Sequence, residues 1–215
     1  MPIPKSDTQF HAAYKDIKQR ILEGFFSSTD RLREVDVATL VGMGRTPVRE
    51  ALKRLEDERL LTHEPRRGLV VTQIDQQGVT ELYAMREVLE GTAAEFAARH
   101  ATDAEIENME FILVESGAPG SDPVTLNLAF HQAIYGAAHN QYLLRSLRAL
   151  TDTTYLLGRS TLHTTDRAKR ALSEHRKIVT AIKNRDAEQA GRAAKHHIRQ
   201  AFLERLKMLR DSPTG

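Results

Sequence analysis

Residues 37–52 read Val37-Ala38-Thr39-Leu40-Val41-Gly42-Met43-Gly44-Arg45-Thr46-Pro47-Val48-Arg49-Glu50-Ala51-Leu52. Val37, Ala38, Leu40 and Val41 suggest a short helix, which the two glycines of Gly42-Met43-Gly44 break within three residues. A second helix then starts, with Thr46 as its expected cap and Pro47 suited to its first turn. Val48, Ala51, Leu52 and Leu55 form its inward stripe. Helix, glycine turn, helix is a helix-turn-helix outline.

Upstream, Phe10, Tyr14, Ile17 and Ile21 recur at steps of four, three and four, one face of a helix ending near Gly24. Downstream, Leu60-Leu61-Thr62-His63 and Leu69-Val70-Val71-Thr72 read as strands joined at Glu64-Pro65-Arg66-Arg67-Gly68, a hairpin wing with arginines at its tip. From Val79 the strand signals vanish. Leu82, Met85, Val88, Leu89, Ala93, Phe96 and Ala97 mark one helix and Ile106, Met109, Ile112 and Leu113 a second, before a break at Ser116–Pro123. Four more helices are expected over 124–138, 141–159, 166–183 and 186–209. The chain is therefore mainly α. A winged helix-turn-helix domain spans 1–74, a linker 75–78, an all-helical antiparallel bundle 79–210 and a fraying tail 211–215.

The chain has 215 residues, 40% hydrophobic and 28% charged, which excludes collagen-like and wholly disordered classes. It has no cysteine, so disulfides, thiolate metal sites and a cysteine nucleophile are excluded. No apolar run approaches the roughly 20 residues that span a bilayer and no signal segment opens the chain, which places the protein in the cytoplasm with no membrane partner. The net charge is +2 and residues 1–75 hold 13 Lys+Arg against 12 Asp+Glu, so any nucleic-acid footprint is local.

That footprint is expected at the second helix of the helix-turn-helix, whose N-terminal residues face base edges. Arg45 and Arg49 lie there four apart, their guanidinium forks matching guanine or phosphate, with Thr46 beside them and Lys53 a turn further on. The bland alternative is that both arginines are surface residues paired with Glu50 or Asp57. Arg66, Arg67 and Gly68 extend the footprint onto the wing.

The helical part carries a second constellation. His131, His175 and His197 each have apolar or small neighbours at three and four residues, placing them on inward faces of three helices. His196, next to His197, points about 100° away. Asn127, one turn before His131, adds an amide oxygen. Three imidazoles and one oxygen suit zinc, nickel, cobalt or manganese, with positions open to a carboxylate or water. A metal-dependent hydrolase fused to a winged helix would need a base, and none is expected: Glu174 directly precedes His175 and should point elsewhere. No catalytic residue is assigned. A metal-free pocket or a pure dimerisation module is the other alternative.

The octapeptide Arg45 to Leu52, followed by Arg54-Leu55 and Pro65-Arg66-Arg67-Gly68, resembles the winged helix-turn-helix of GntR-family transcriptional regulators. Phe130-His131, Ala138-His139-Asn140, Glu174-His175, Asp186, Ala190 and His197-Ile198 resemble the FadR-like subfamily with its FCD effector domain. This resemblance implies a homodimer on a short DNA palindrome, repressing a catabolic or transport operon until a small carboxylate binds at or beside a divalent metal held by Asn127, His131, His175 and His197. It also implies Arg86 as a partner for the effector carboxylate, unless Glu87 or Glu90 claims it, with Tyr135 and Tyr155 as lesser pocket residues. Three positions depart from the family pattern: Asn127 replaces an aspartate, Val35 an arginine and Arg59 a glycine.

Overall fold

The computed structural model describes residues 5–211, so the expected tail lies outside the described residues except for Asp211. Among these residues the chain forms nine helices and one two-stranded sheet, the mainly α architecture expected. It divides into two compact units: one runs to Asp75 and takes in Thr151–Gly158, the other holds Gln76–Leu150 and the chain from Arg159.

The first unit is organised by its glycine turn. Gly42 closes α2 (Glu34–Val41) in the left-handed region at φ +67°, with its N–H donating to the Thr39 carbonyl and the Met43 N–H to the Ala38 carbonyl. That double bond to the orphan carbonyls is a Schellman ending, and glycine takes it without a Cβ penalty. The next helix, α3 (Arg45–Asp57), starts two residues earlier than the sequence suggested: Gly44 is its N-cap, and no side chain bonds there. Thr46 therefore occupies the second helical position and caps nothing. α1 (Lys5–Leu22) packs on this pair through Ala13, Ile17 and Ile21, which meet Val37, Val48, Leu52 and Leu55 in one core. β1 (Leu61–Glu64) pairs antiparallel with β2 (Gly68–Val71), Leu61 opposite Val71 and Glu64 opposite Gly68. The chain passes from α3 to β1 through Arg59 at φ +61°, which is the physical reason a glycine suits that position.

The second unit is all helical: α4 (Gln76–His100), α5 (Asp103–Ser116), α6 (Pro123–Ala137), α7 (Gln141–Tyr155), α8 (Thr165–Lys183) and α9 (Ala187–Asp211). α4 takes in three of the four expected linker residues. The last residues of α7 group with the first unit, where Leu156 packs on its core. Local signals set several starts. Thr102 and Glu105 form a reciprocal capping box ahead of α5, and Asp122 caps α6 with Pro123 in its first turn. The core runs through Ala93, Ala97, Met109, Phe130, Ile134, Leu147, Ile178 and Ile182, and small residues let α4 and α9 approach closely. At Gly191 an added Cβ would fall 2.6 Å from Cγ of Glu95 on α4.

Ile182 is fully buried. Ile182→Ala is expected to lower the unfolding free energy by about 2–5 kcal/mol, seen as a reduced urea midpoint at unchanged m-value. A loss under about 1 kcal/mol would mean that α8 does not depend on this contact.

Candidate functional site

Arg45, Thr46, Arg49 and Lys53 are all exposed on α3, with Val48 and Leu52 turned inward. Residues 45, 49 and 53 follow one another by four, so the three cations lie along one stripe. The partner of the arginines is not Glu50 or Asp57. It is Glu34, the first residue of α2: Arg49 donates from Nε (2.8 Å) and Nη2 (2.9 Å) to its two oxygens, and Arg45 stands 3.9 Å away. The hydrogen bonds from Arg49 hold the Glu34 carboxyl below its ordinary range. On the wing, Arg66 is exposed in the left-handed region at φ +68°, and Gly68 follows at φ +83°. Arg67 donates to Glu64 (2.7 Å) and to the Ser28 carbonyl (2.9 Å).

In the helical unit the three histidines converge. Nε2 of His197 lies 3.2 Å from Nε2 of His175 and 3.3 Å from Nε2 of His131, and all three rings are buried. Two of the rings are held from behind. Nδ1 of His131 donates to Glu90 (2.8 Å) and Nδ1 of His197 to Glu174 (2.7 Å). Each carboxylate is in turn held by an arginine: Arg86 reaches Glu90 at 2.8 Å, and Arg167 grips Glu174 with two hydrogen bonds of 3.1 and 3.0 Å. His175 instead stacks on Phe130, centroids 4.0 Å apart.

The hydrogens on the two Nδ1 atoms leave lone pairs on the facing Nε2 atoms. Burial pushes His197 and His175 well below the ordinary histidine range, so neither ring relieves this crowding by taking a proton at neutral pH. Burial by itself would push Glu90 up, but Arg86 and the His131 N–H outweigh it and hold the carboxyl well below the usual carboxylate range. For Glu174 burial wins over Arg167 and the carboxyl is raised.

The expectation that Glu174 points elsewhere is thus corrected. Neighbours on a helix do diverge by about 100°, but His197 on α9 stands in the angle between Glu174 and His175 and touches both. Arg86 is engaged by Glu90, one of the two partners considered for it. Tyr135 lines a cavity of about 10 Å³ with Glu90, His131 and His197, the space of one water or ion. Asn127 lines a larger cavity of about 540 Å³ with His175, Lys169, His163 and Leu162, walled on one side by residues 116–121. Tyr155, the last residue of α7, belongs to the other compact unit.

A helix-turn-helix with an arginine stripe and a wing, joined to a helical domain with a buried ligand-type centre, defines a DNA-binding transcriptional regulator. The match to the model for bacterial regulatory proteins of the gntR family covers residues 10–71, and the match to the FCD domain covers residues 81–200. The chain is 31% identical over 195 residues to the uncharacterized HTH-type transcriptional regulator YdhC of Bacillus subtilis, spanning 88% of this chain and 85% of that one. It is also 31% identical over 189 residues to a probable D-xylose utilization operon transcriptional repressor of Paenarthrobacter nicotinovorans, spanning 85% and 82%. Among solved structures, E. coli McbR/YncC shares the fold with a TM-score of 0.78 at 19% identity, over 94% of this chain and 98% of that one. The chain belongs to the GntR family and carries an FCD domain. Its family and relatives are transcriptional regulators, not enzymes. No helix of the described residues is long and apolar enough to cross a membrane.

Burial keeps His175 and His197 neutral in the fold, whereas in the unfolded chain such rings titrate near 6.5. Below that pH the unfolded state binds more protons, so stability present above about 6.5 is lost as pH falls, by up to about 1.4 kcal/mol per pH unit for each ring. Urea unfolding of chelator-treated protein between neutral and mildly acidic pH is expected to show this decline, and His197→Gln roughly half of it. A flat profile in both would remove the neutral histidine centre.

Proposed function

We propose that the protein is a FadR-type repressor of a catabolic or transport operon, acting in the cytoplasm as a homodimer on a short palindromic operator. In this reading a small carboxylate releases it from DNA by binding at or beside a divalent metal held by His131, His175 and His197, with Asn127 next to them. The observation that carries the reading is the set of three Nε2 atoms within 4.8 Å of one another, two of them with their Nδ1 hydrogens fixed by carboxylates. Lone pairs aimed at a common point fit a cation, and zinc, nickel, cobalt or manganese each suit nitrogen ligands of this kind. A bound divalent ion supplies positions for an anionic ligand atom. The neutral Asn127 leaves that ligand more of the charge balance than an aspartate would.

The cavity beside His175 has the size of a small-molecule site and a mixed lining, apolar at Leu162, Ala168 and Leu172, cationic at Lys169. With Arg86 engaged by Glu90, Lys169 is the cation best placed to meet a carboxylate there. Arg86 serves in this reading by fixing Glu90 and, through it, His131. The relative whose name is a D-xylose utilization operon repressor supports repression of a catabolic operon.

Metal analysis of protein purified without chelator or histidine tag is expected to give about one ion per chain, lost in His197→Ala. No metal in the wild type after zinc or nickel is supplied would overturn the metal reading and leave the regulator with a metal-free pocket. For the DNA face, Arg49→Ala is expected to cost about 1–3 kcal/mol of discrimination between a duplex selected from a random library and random DNA. An equal loss on both would assign Arg49 to phosphate alone.

A further inference from the structure

The segment before α2 is part of the wing. The Leu32 N–H donates to the Leu69 carbonyl at 2.8 Å, so this stretch lies against β2, tied to it by one backbone hydrogen bond. Two further bonds fix it: Arg67 to the Ser28 carbonyl (2.9 Å) and the Gln73 amide to Ser28 Oγ (2.6 Å). Its side chains alternate as a strand's do. Leu32 is buried, while Arg31 and Arg33 on either side of it are exposed.

This alternation puts the Arg31 guanidinium across the face of Gly68. A Cβ built on Gly68 would lie 3.0 Å from Arg31 Nε and 3.5 Å from Cζ, so the space a side chain would fill is taken by the guanidinium. Gly68 also sits at φ +83°, where other residues are strained. Arg67, by contrast, has both of its terminal nitrogens engaged, by Glu64 and by Ser28. Among the described residues Arg31 makes no hydrogen bond or ion pair. A guanidinium held at a wing tip with its donors unspent is a phosphate ligand in waiting, since the fork matches phosphate geometry.

We propose that Arg31 is a DNA-backbone contact of the wing, reaching a phosphate across Gly68. The inference rests on the wing facing DNA, which Arg66 and Arg67 test separately. Binding of a labelled random-sequence duplex and of a library-selected duplex would be measured by fluorescence anisotropy over a salt series for the wild type, Arg31→Ala, Arg31→Lys and Arg66→Ala/Arg67→Ala. Arg31→Ala is expected to weaken both duplexes alike, roughly five- to tenfold near 0.1 M salt, and to lessen the slope of log K against log salt by about 0.9, the share of one phosphate. Arg31→Lys should recover most of the loss. A thermal midpoint equal to that of the wild type verifies the fold, and Arg31→Gln replaces the alanine variant if that midpoint shifts. An unchanged slope for a folded Arg31 variant beside a reduced slope for Arg66→Ala/Arg67→Ala would overturn the inference alone. Unchanged slopes in all variants would overturn the wing reading with it, and a loss confined to the selected duplex would overturn the phosphate assignment.

Discussion

Two arginine–carboxylate pairs sit among the helices of the FCD domain, and in each pair one member is cut off from water. Glu90 is 3% exposed and Arg167 1%. An isolated buried charge is costly enough that the group would neutralise instead, and removing one member of such a pair typically destabilises a protein by about 3–5 kcal/mol. Arg86 with Glu90 and Arg167 with Glu174 therefore cannot be treated as ornaments of the core. Each pair leaves one carboxylate oxygen facing a histidine Nδ1, and so sets the tautomer and the ring plane of His131 and His197. The centre is defined from behind: four helices, α4, α6, α8 and α9, must hold their places for the arginines and carboxylates to reach the rings.

The chain of dependence explains what the sequence could reveal. The helix-turn-helix is a local object, and Gly42, Pro47 and the Val48–Leu55 stripe mark it within one short window. The histidines were legible through periodicity, because an inward face is a property of one helix: His196 is exposed and His197 buried, as their neighbours suggested. What periodicity does not contain is the angle at which another helix arrives. Glu174 looked excluded because it precedes His175, and only the placement of α9 brings His197 between them. Glu90 was visible as a partner for Arg86 one turn away, but its second bond goes to a histidine on α6 and has no local signal. The same limit hid Glu34, whose bond to Arg49 spans two helices, and Arg31, whose place beside Gly68 depends on the Leu32–Leu69 bond.

On the exposed arginine stripe of α3, the ion pair between Glu34 and Arg49 is solvent-exposed, and such pairs contribute little to stability. Its effect is orientational. Two hydrogen bonds hold the Arg49 fork along the stripe that Arg45 shares, so part of the side-chain entropy that a bidentate contact to a base or phosphate requires is already lost in the free protein. If Arg49 contacts DNA as proposed, the same carboxylate is an acceptor that the duplex must replace, and it repels phosphate. Replacement is worthwhile only where the duplex offers the fork two acceptors of its own, which ties the arrangement to discrimination more than to affinity.

The three rings of the buried centre are not held alike, and the difference falls along a direction. His131 and His197 are fixed through Nδ1 by ionised or strongly polar partners and border the cavity that has room for one water or ion. His175 is held by stacking on Phe130 and borders the 540 Å³ cavity instead. Stacking restrains the plane of a ring but resists sliding within that plane far less than a charge-assisted hydrogen bond does. The ring without a carboxylate behind it is thus the one that lines the large cavity. The large cavity is lined by that ring, Asn127 and Lys169 and by neither carboxylate-backed histidine, so the arginine–carboxylate frame lies behind the two rings that the large cavity does not reach.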